Sequence, residues 1–540
     1  MTIYSTKVQK DTSVFKQNRS DMLQLIDKLR GLEKRAHDLS EKRRLRFQER
    51  GQLTPRERLS CLLDSGMPFL ELYNLASYLV DDTNPDTSIP GASMITGIGF
   101  VSGVRCLVFV DDSGISAGAS TTKTVEKALG VLKIAENQKL PFIHLVESAG
   151  ANLMNYTVEL WAHGGGMFNG LARLSAMGIP TITVLHGPST AGGAYQPGLS
   201  DYVIGVKKNG MAALAGSALV HAATGEVSTD DELGGVDMHS TKSGLVEYVA
   251  DDDNHGIDIA RDIVKRLHWN KSINRPANRS YIEPRYSSED LLGIVPIDYK
   301  KRYEVREVIS ILVDGSDFID FKPDFGPTVV CIQAEIFGQP CGIIANNGPI
   351  DPPGANKAAQ FFQLCDQSDT PLVFLNNTTG YMVGKAYEEA GMIKHGAKMI
   401  QAVSNVNVPK ISLYIGASFG AGNYGMCGYA YQPDFLFTWP NAETGVMGGE
   451  QAALTMRQVM TNSAKRKGQA IDSKMLQAQE DAIVKHFDHQ SNAFFTSGRM
   501  LDHGMIDPRD TRLVIGFALE TCWESKQRKL KTNSFGIARM

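Results

Sequence analysis

PTITVLHGPSTAGGAY (residues 180–195) and PKISLYIGASFGAGNY (residues 409–424) are collinear stretches of one chain. Each opens on proline, runs through apolar and β-branched residues, and closes on small ones: Ala191-Gly192-Gly193 in the first, Gly420-Ala421-Gly422 in the second. An apolar run bounded in this way reads as a buried strand leading into a turn. The match extends outward. Arg56-Glu57-Arg58-Leu59-Ser60 pairs with Arg306-Glu307-Val308-Ile309-Ser310, and Gly103 to Asp112 pairs with Gly338 to Asn347. PFIHLVESAG (141–150) pairs with PLVFLNNTTG (371–380), and Leu214-Ala215-Gly216 with Met447-Gly448-Gly449. The order never changes and the offset drifts only between about 250 and 229 residues, far beyond a solenoid period, so the chain is a duplicated domain.

Length agrees, since 540 residues exceed what one hydrophobic core serves. The formal charge of −4 provides no global basic field for nucleic acid or an anionic membrane, so neither is expected as a partner. The seven cysteines never approach CxxC spacing, which removes zinc-ribbon and thioredoxin-like motifs; no metal is expected, and a reducing compartment is. The first twenty residues lack the apolar core of a secretory signal, and no later stretch is apolar enough to span a bilayer. The expected location is the cytoplasm.

From Ser20, read as an N-cap, Met22, Leu25, Ile26, Leu29 and Leu32 follow helical spacing into a charged stretch that ends near Arg50. ITGIGFVSGVRCLVFVDD (95–112) alternates and turns at Ser102-Gly103, a hairpin pattern. Its Gly97, Gly99 and Gly103 have the wrong spacing for a dinucleotide fingerprint. Strand and helix patterns then alternate, which gives an α/β fold class. The polar, proline-bearing stretch from 268 to 300 marks the linker, placing the domains at 1–285 and 286–540. Amphipathic helices are expected beyond Gln451.

A strand that ends in small residues and opens a helical turn leaves backbone N–H groups facing whatever lies beyond it. Small residues let a ligand oxygen reach those donors, so each turn is a candidate oxyanion hole. Two equivalent turns would serve two oxyanions. A competing pattern overlaps the second turn: Gly416-Ala417-Ser418-Phe419-Gly420 fits the GxSxG nucleophile elbow, with Asp481 and His486 or Asp502 and His503 in the required order. Ser189 is the repeat counterpart of Ser418, however, and a hydrolase needs a single elbow.

The motifs STAGGAYQPGLSDY (189–202), AATGEV (222–227), LGG (233–235), GASFGAGNYGMCG (416–428) and VMGGEQAA (446–453) resemble the carboxyltransferase (β) subunits of biotin-dependent acyl-CoA carboxylases. The likeness runs from RGQLTPRERL (50–59) to DPRDTR (507–512), and GNYGMCG and MGGEQAA resemble the methylcrotonyl-CoA and geranyl-CoA branch. The resemblance implies two tandem crotonase-like (ββα superhelix) domains, acyl-CoA on the N-terminal one and carboxybiotin on the C-terminal one. It also implies a homo-hexamer working with a biotin carboxylase/biotin carrier α subunit. Gly192 and Gly193 would face the thioester enolate oxygen, and Ala421 and Gly422 the ureido oxygen of biotin, whose nitrogen takes the substrate proton. Ala149, Gly150, Ala151, Ala191, Ala194 and Phe168 would line the acyl-CoA site, and Phe419, Gly420, Gly448 and Gly449 the biotin site. No side-chain base is then needed, and Glu147 and Asp111 read as strand-end structural residues because their repeat partners are Asn377 and Asn346.

Biotin would be carried by the partner, because Ala397-Lys398-Met399 is only a fragment of a biotin attachment sequence. Coenzyme A would enter as part of the substrate. Where many relatives carry a lysine and paired glycines, this chain has Ser116-Ala117-Gly118, and Ala149 stands in place of a further glycine. The run Gly164-Gly165-Gly166, ahead of the helix-like FNGLARLSAMGIP, leaves room for a long or branched acyl chain or forms a simple loop. The alternatives to branched, α,β-unsaturated acyl-CoA carboxylation are propionyl-CoA or other saturated acyl-CoA carboxylation, biotin-dependent decarboxylation, a catalytically silent assembly subunit, and a serine hydrolase using Ser418.

Overall fold

The structure, a computed structural model, describes residues 3–152, 156–274, 279–468 and 472–532. The first half of the repeat supplies β1 (Leu70–Glu71), β2 (Met94–Val101), β3 (Val104–Asp111), β4 (Phe142–Ser148), β5 (Thr181–Thr190), β6 (Tyr202–Val206), β7 (Met211–Ala213) and β8 (Tyr248–Ala250). They form one sheet in the order β1-β2-β3-β4-β5-β6-β8, with β7 also paired to β5. The second half supplies β9 (Ile319–Asp320), β10 (Val329–Ile336), β11 (Gln339–Asn346), β12 (Leu372–Thr378), β13 (Lys410–Phe419), β14 (Phe435–Thr438) and β15 (Glu443–Gly445). Their order is β14-β13-β12-β11-β10-β9, with β15 on β13. In each sheet the opening hairpin is antiparallel and the later pairs are parallel.

The expected hairpin is β2–β3, and its turn residues Ser102 and Gly103 are both left-handed (φ 49° and 76°), as a twist-matched two-residue turn requires. Gly97 and Gly99 lie where a Cβ would overlap Phe69 and Leu63, so they are packing positions. β2, β3 and β4 are buried along their whole length, the pattern of a sheet covered on both faces. Ile257, Ala260 and Val264 of helix Asp253–Arg266 join one core, and Phe361, Phe362, Met399 and Val403 of helices Pro352–Gln367 and Met392–Asn405 join the other.

The two quoted stretches form β5 and β13, each of which changes neighbours midway. Ile182–Leu185 pair with β6 and Pro188–Thr190 with β7; Ile411–Tyr414 pair with β14 and Ala417–Phe419 with β15. The register with β4 shifts after Val146 and that with β12 after Asn376. Gly187 and Gly416 stand at this step, where a Cβ would overlap Glu147 or Asn377.

Compactness divides the chain differently at its ends from the contiguous boundary read in the sequence. One unit is Gly31–Arg275 with Thr521–Met540, and the other is Met1–Arg30 with Pro276–Glu520. The N-terminal helix spans Ser13–Glu41, so Ser20 lies inside it instead of capping it. The expected C-terminal helices are Gly449–Lys467 and Ser473–Ser491. No helix among the described residues is long and apolar enough to cross a membrane.

Candidate active site

β5 and β13 end the same way. The next residue is left-handed in both, Ala191 at φ 55° and Gly420 at φ 56°, and the chain then enters a 3₁₀ turn (Ala191–Ala194) or a short helix (Gly420–Gly425). An alanine in this conformation costs about 1–2 kcal/mol that glycine avoids. The first N–H groups of a helical turn have no partner within it. Ala191, Gly192 and Ala421 are exposed, Gly193 is half-buried, and Gly422 is buried.

The glycines of the two turns differ in what requires them. A Cβ on Gly192 would meet only Phe168 Cζ at 3.5 Å, an ordinary contact, and on Gly193 only Ser189 Oγ at 3.2 Å. On Gly422 it would lie 2.8 Å from Gly380 Cα. Packing within its own unit therefore demands Gly422 but not Gly192. Phe168, on helix Val158–Ala176, also lies beside Tyr195, with ring centroids 5.5 Å apart, and Ala194 is half-buried in the turn.

The loop after β4 flanks the first turn. Gly150 is left-handed (φ 82°), and a Cβ there would lie 3.5 Å from the Thr190 carbonyl oxygen. Ser120 N–H donates to Gly150 O (2.8 Å) and Asn152 N–H to Ser120 O (3.0 Å), with Ala151 bridged to Ser120. Ala149 and Ala151 are exposed. The second half repeats the device: Ile350 N–H donates to Gly380 O and Met382 N–H to Ile350 O, both at 2.9 Å. Sequence reasoning missed one difference. At the position of Ala151 the second half has Tyr381, whose ring packs on Gly396, so a large ring stands where the first half has an exposed methyl group. Aligning the two loops on Gly150 and Gly380 exposes this substitution.

Ser116, Ala117 and Gly118 are consecutive left-handed residues (φ 48°, 54° and 69°), and Ala149 N–H donates to Ala117 O at 3.1 Å. The departure from the family pattern is thus a strained loop end packed on the β4 loop. The run Gly164-Gly165-Gly166 does not form a loop but lies inside helix Val158–Ala176. Gly164 and Gly165 have nothing within 4 Å of a built Cβ.

Beside the second turn, Phe419 is buried with its ring edge-on to Tyr299 (centroids 5.2 Å apart), so it forms the floor below Gly420. A Cβ on Gly420 would lie 3.2 Å from Val446 O, and Cβ atoms on Gly448 and Gly449 would overlap Tyr299 and press on Asp488. These glycines hold the segment after β15 tight against the turn.

No hydrolase elbow forms. Ser418 lies within β13, donates to Asn376 Oδ1 (3.0 Å) and accepts from Asn423 Nδ2 (2.8 Å), with no histidine in contact. His503 Nδ1 instead accepts from Leu436 N–H (3.2 Å), and Asp502 accepts from Ser497 Oγ (2.5 Å). Glu147 and Asp111 are also engaged. Arg58 Nη1 donates to Glu147 at 2.6 Å and Arg58 Nε to Asp253 at 2.8 Å; His186 Nδ1 lies 2.7 Å from Asp253 and His144 Nε2 3.2 Å from Asp111, all in buried positions. Burial would raise the Asp253 carboxyl, but the His186 hydrogen bond and the His186 and Arg58 charges outweigh it and hold it at about 2. Lys398 lies within helix Met392–Asn405, so no biotin attachment turn forms there. Among the described residues no group of His, Cys, Asp and Glu gathers to hold a metal.

Residues 46–537 match the family described as the carboxyl transferase domain. A probable biotin-dependent acyl-coenzyme A carboxylase beta2 subunit of Mycobacterium tuberculosis is 48% identical over 496 residues, 92% of each chain. A probable mitochondrial methylcrotonoyl-CoA carboxylase beta chain of Drosophila melanogaster is 40% identical over 100% of this chain and 95% of its own. The crystal structure of the geranyl-CoA carboxylase beta subunit of P. aeruginosa aligns over 100% of both chains with a TM-score of 0.93 and 46% identity. The two sheet-and-helix halves are accordingly crotonase-like domains. With Ser418 held inside β13 by Asn376 and Asn423, and with the likeness running the length of the chain, the chain belongs to the carboxyl transferase family as the carboxyltransferase (β) subunit of a biotin-dependent acyl-CoA carboxylase.

Proposed function

We propose that the chain carboxylates a branched, α,β-unsaturated acyl-CoA of the methylcrotonyl or geranyl type, with the acyl thioester on the first half and carboxybiotin on the second. The observation that carries this division is the asymmetry of two otherwise matching sites. In the first half Ala151 is a small exposed residue and Gly164 and Gly165 have nothing within 4 Å of a built Cβ, whereas the second half has the ring of Tyr381 packed on Gly396. A glycine inside a helix costs about 0.5–1 kcal/mol against alanine. Keeping two that no packing requires suits a branched chain that needs the space.

The second turn suits a flat ureido ring, because Ala421 is exposed and carries only a methyl group while Phe419 closes the floor. When bound, carboxybiotin from the partner α subunit supplies the carboxyl group and a ring nitrogen that accepts the substrate proton. The N–H groups of Ala421 and Gly422 hold the negative charge that develops on the ring oxygen. The N–H groups of Gly192 and Gly193 hold that of the thioester enolate, with Phe168 and the loop from Ala149 to Ala151 fixing the acyl group beside them. Each donor of this kind contributes about 3–4 kcal/mol to transition-state stabilisation. In a conjugated enolate the γ carbon shares the charge, so carboxylation there needs no further catalyst.

Assembly as a homo-hexamer fits the exposed apolar side chains of both units. They include Trp161, Leu214 and Val227 in one unit, and Val446, Leu454 and Val459 in the other. A cytoplasmic location fits seven unpaired cysteines. The test is carboxybiotin-dependent transfer with purified α subunit across propionyl, methylcrotonyl and geranyl thioesters. Preference for the branched, unsaturated substrates is expected. A preference for propionyl-CoA would overturn the substrate assignment, and no transfer to any of them would favour a silent assembly subunit.

A further inference from the structure

The space behind the β4 and β12 ends is used differently in the two halves. In the first half it holds a closed ionic network in which Arg58 lies between the carboxylates of Glu147 and Asp253, with His186 beside Asp253. The repeat counterparts of Arg58, Glu147 and His186 are Val308, Asn377 and Ile415, so the second half lacks this network. Beside Asn377, the counterpart of Glu147, it has a cavity of about 180 Å³. Tyr299, Lys300, Lys301, Arg302 and Tyr303 line one side, and Asn347, Asn377 and Thr379 are among the residues of the other. No carboxylate lines it, and neither does any residue from Phe419 to Gly422.

Its charged lining residues are all cations, while Asn347 Nδ2 donates to the Glu304 carboxylate at 2.9 Å. Three consecutive basic residues, the Asn377 amide, threonine hydroxyls and two phenols line a space large enough for several waters at about 30 Å³ each. Lys300 is held by Glu450 at 2.8 Å. The Tyr303 hydroxyl is buried with no hydrogen-bond partner, and leaving such a group unpaired is costly. Where the first half neutralises its buried cation with its own Glu147 and Asp253, the second half offers cations and donors to an external anion.

The geometry points to a small-oxyanion site in the second half, lined by Lys301, Arg302, Tyr303, Asn347 and Asn377, that takes bicarbonate or phosphate. It is separate from the biotin turn but shares a wall with it, since Tyr299 lines the cavity and packs on Phe419. An occupant would therefore reach the turn through Tyr299.

Titration calorimetry of the full-length chain with sodium bicarbonate, sodium phosphate and sodium chloride at matched ionic strength tests this. Saturable binding of one oxyanion per chain is expected, with chloride inert, and the preferred anion identifies the source. Affinity is expected to fall at least about tenfold in Lys301→Ala/Arg302→Ala and in Tyr303→Phe, and to be unchanged in Lys398→Ala, outside the cavity. Asn377→Glu places the first half's carboxylate in the same position. It is expected to abolish oxyanion uptake, because an internal counter-charge then faces the basic segment. Circular dichroism and oligomer size confirm that each variant is folded. Non-saturable heats, or equal affinity in the parent and in folded Asn377→Glu, would overturn the site.

Discussion

Gly192 and Gly422 stand one position apart in the two turns, and a methyl group should separate their roles. At Gly192 a Cβ meets only Phe168 at 3.5 Å, so Gly192→Ala is expected to leave the melting temperature unchanged while lowering transfer, because the methyl enters the space above the amides. At Gly422 a Cβ would lie 2.8 Å from Gly380 Cα, so Gly422→Ala is expected to destabilise the protein by about 1–3 kcal/mol, the usual range for overpacking. Paired thermal melts and transfer assays check both; unaltered turnover in Gly192→Ala would show that the acyl group does not enter the space above Gly192. Ala421→Pro deletes an N–H outright and is expected to reduce kcat by about 100- to 1000-fold with oligomer size retained. These turns were legible in the sequence because both consist of small residues at matched positions. The burial of Gly422 and the exposure of Gly192 were not, since they depend on the β12 loop and on a helix distant in the chain.

Among the elements, the segment after helix Ala493–Gly498 carries two neighbouring buried groups with opposed titrations. Burial raises the Asp502 carboxyl to about 7 and lowers the His503 imidazole to about 4. Between about pH 4 and 6.5 the folded Asp502 holds a proton that its unfolded form releases, so its contribution to stability falls as pH rises. Over the same window unfolded His503 is protonated and folded His503 is not, so its contribution rises. The two slopes offset. Asp502→Asn should leave the His503 slope, with stability increasing by about 2–3 kcal/mol from pH 4 to 6.5, and melting curves at several pH values check the sign. Helix Val158–Ala176 supplies another test. Gly165→Ala adds helix propensity of about 1 kcal/mol, so it should raise the melting temperature while lowering kcat/KM for the longest acyl thioester. This helix also shows a limit of reading by composition. Three successive glycines signal a loop locally, and only tertiary packing through Leu160, Leu171 and Leu174 keeps them helical. The strands were readable for the opposite reason: their β-branched runs and flanking prolines agree with their environment.

At the scale of the whole molecule, the duplication was evident from the order of matched segments, but the exchange of terminal segments between the units was not. Nothing in local pattern announces it, because helices Ser13–Glu41 and Thr511–Gln527 each contribute to both compact units. The unit carrying the first sheet is completed by the C-terminus: Arg105 pairs with Glu524 at 3.2 Å, and Lys139 Nζ donates to the carbonyls of Ser525 and Arg528. Deleting residues from Thr521 onward is expected to destabilise that first-sheet unit selectively, read as faster proteolysis within residues 31–275 than within 279–520. Equal protection of both would show the tail to be dispensable. The same exchange sets a timetable for synthesis. The ribosome releases the strands of the first sheet long before the helix that completes their unit, so the half made first must wait for the segment from Thr521 onward. Translation through residues 521–532 thereby becomes a condition for a finished first-sheet unit, and a chain terminated before them leaves that unit open to the proteases that clear incomplete products.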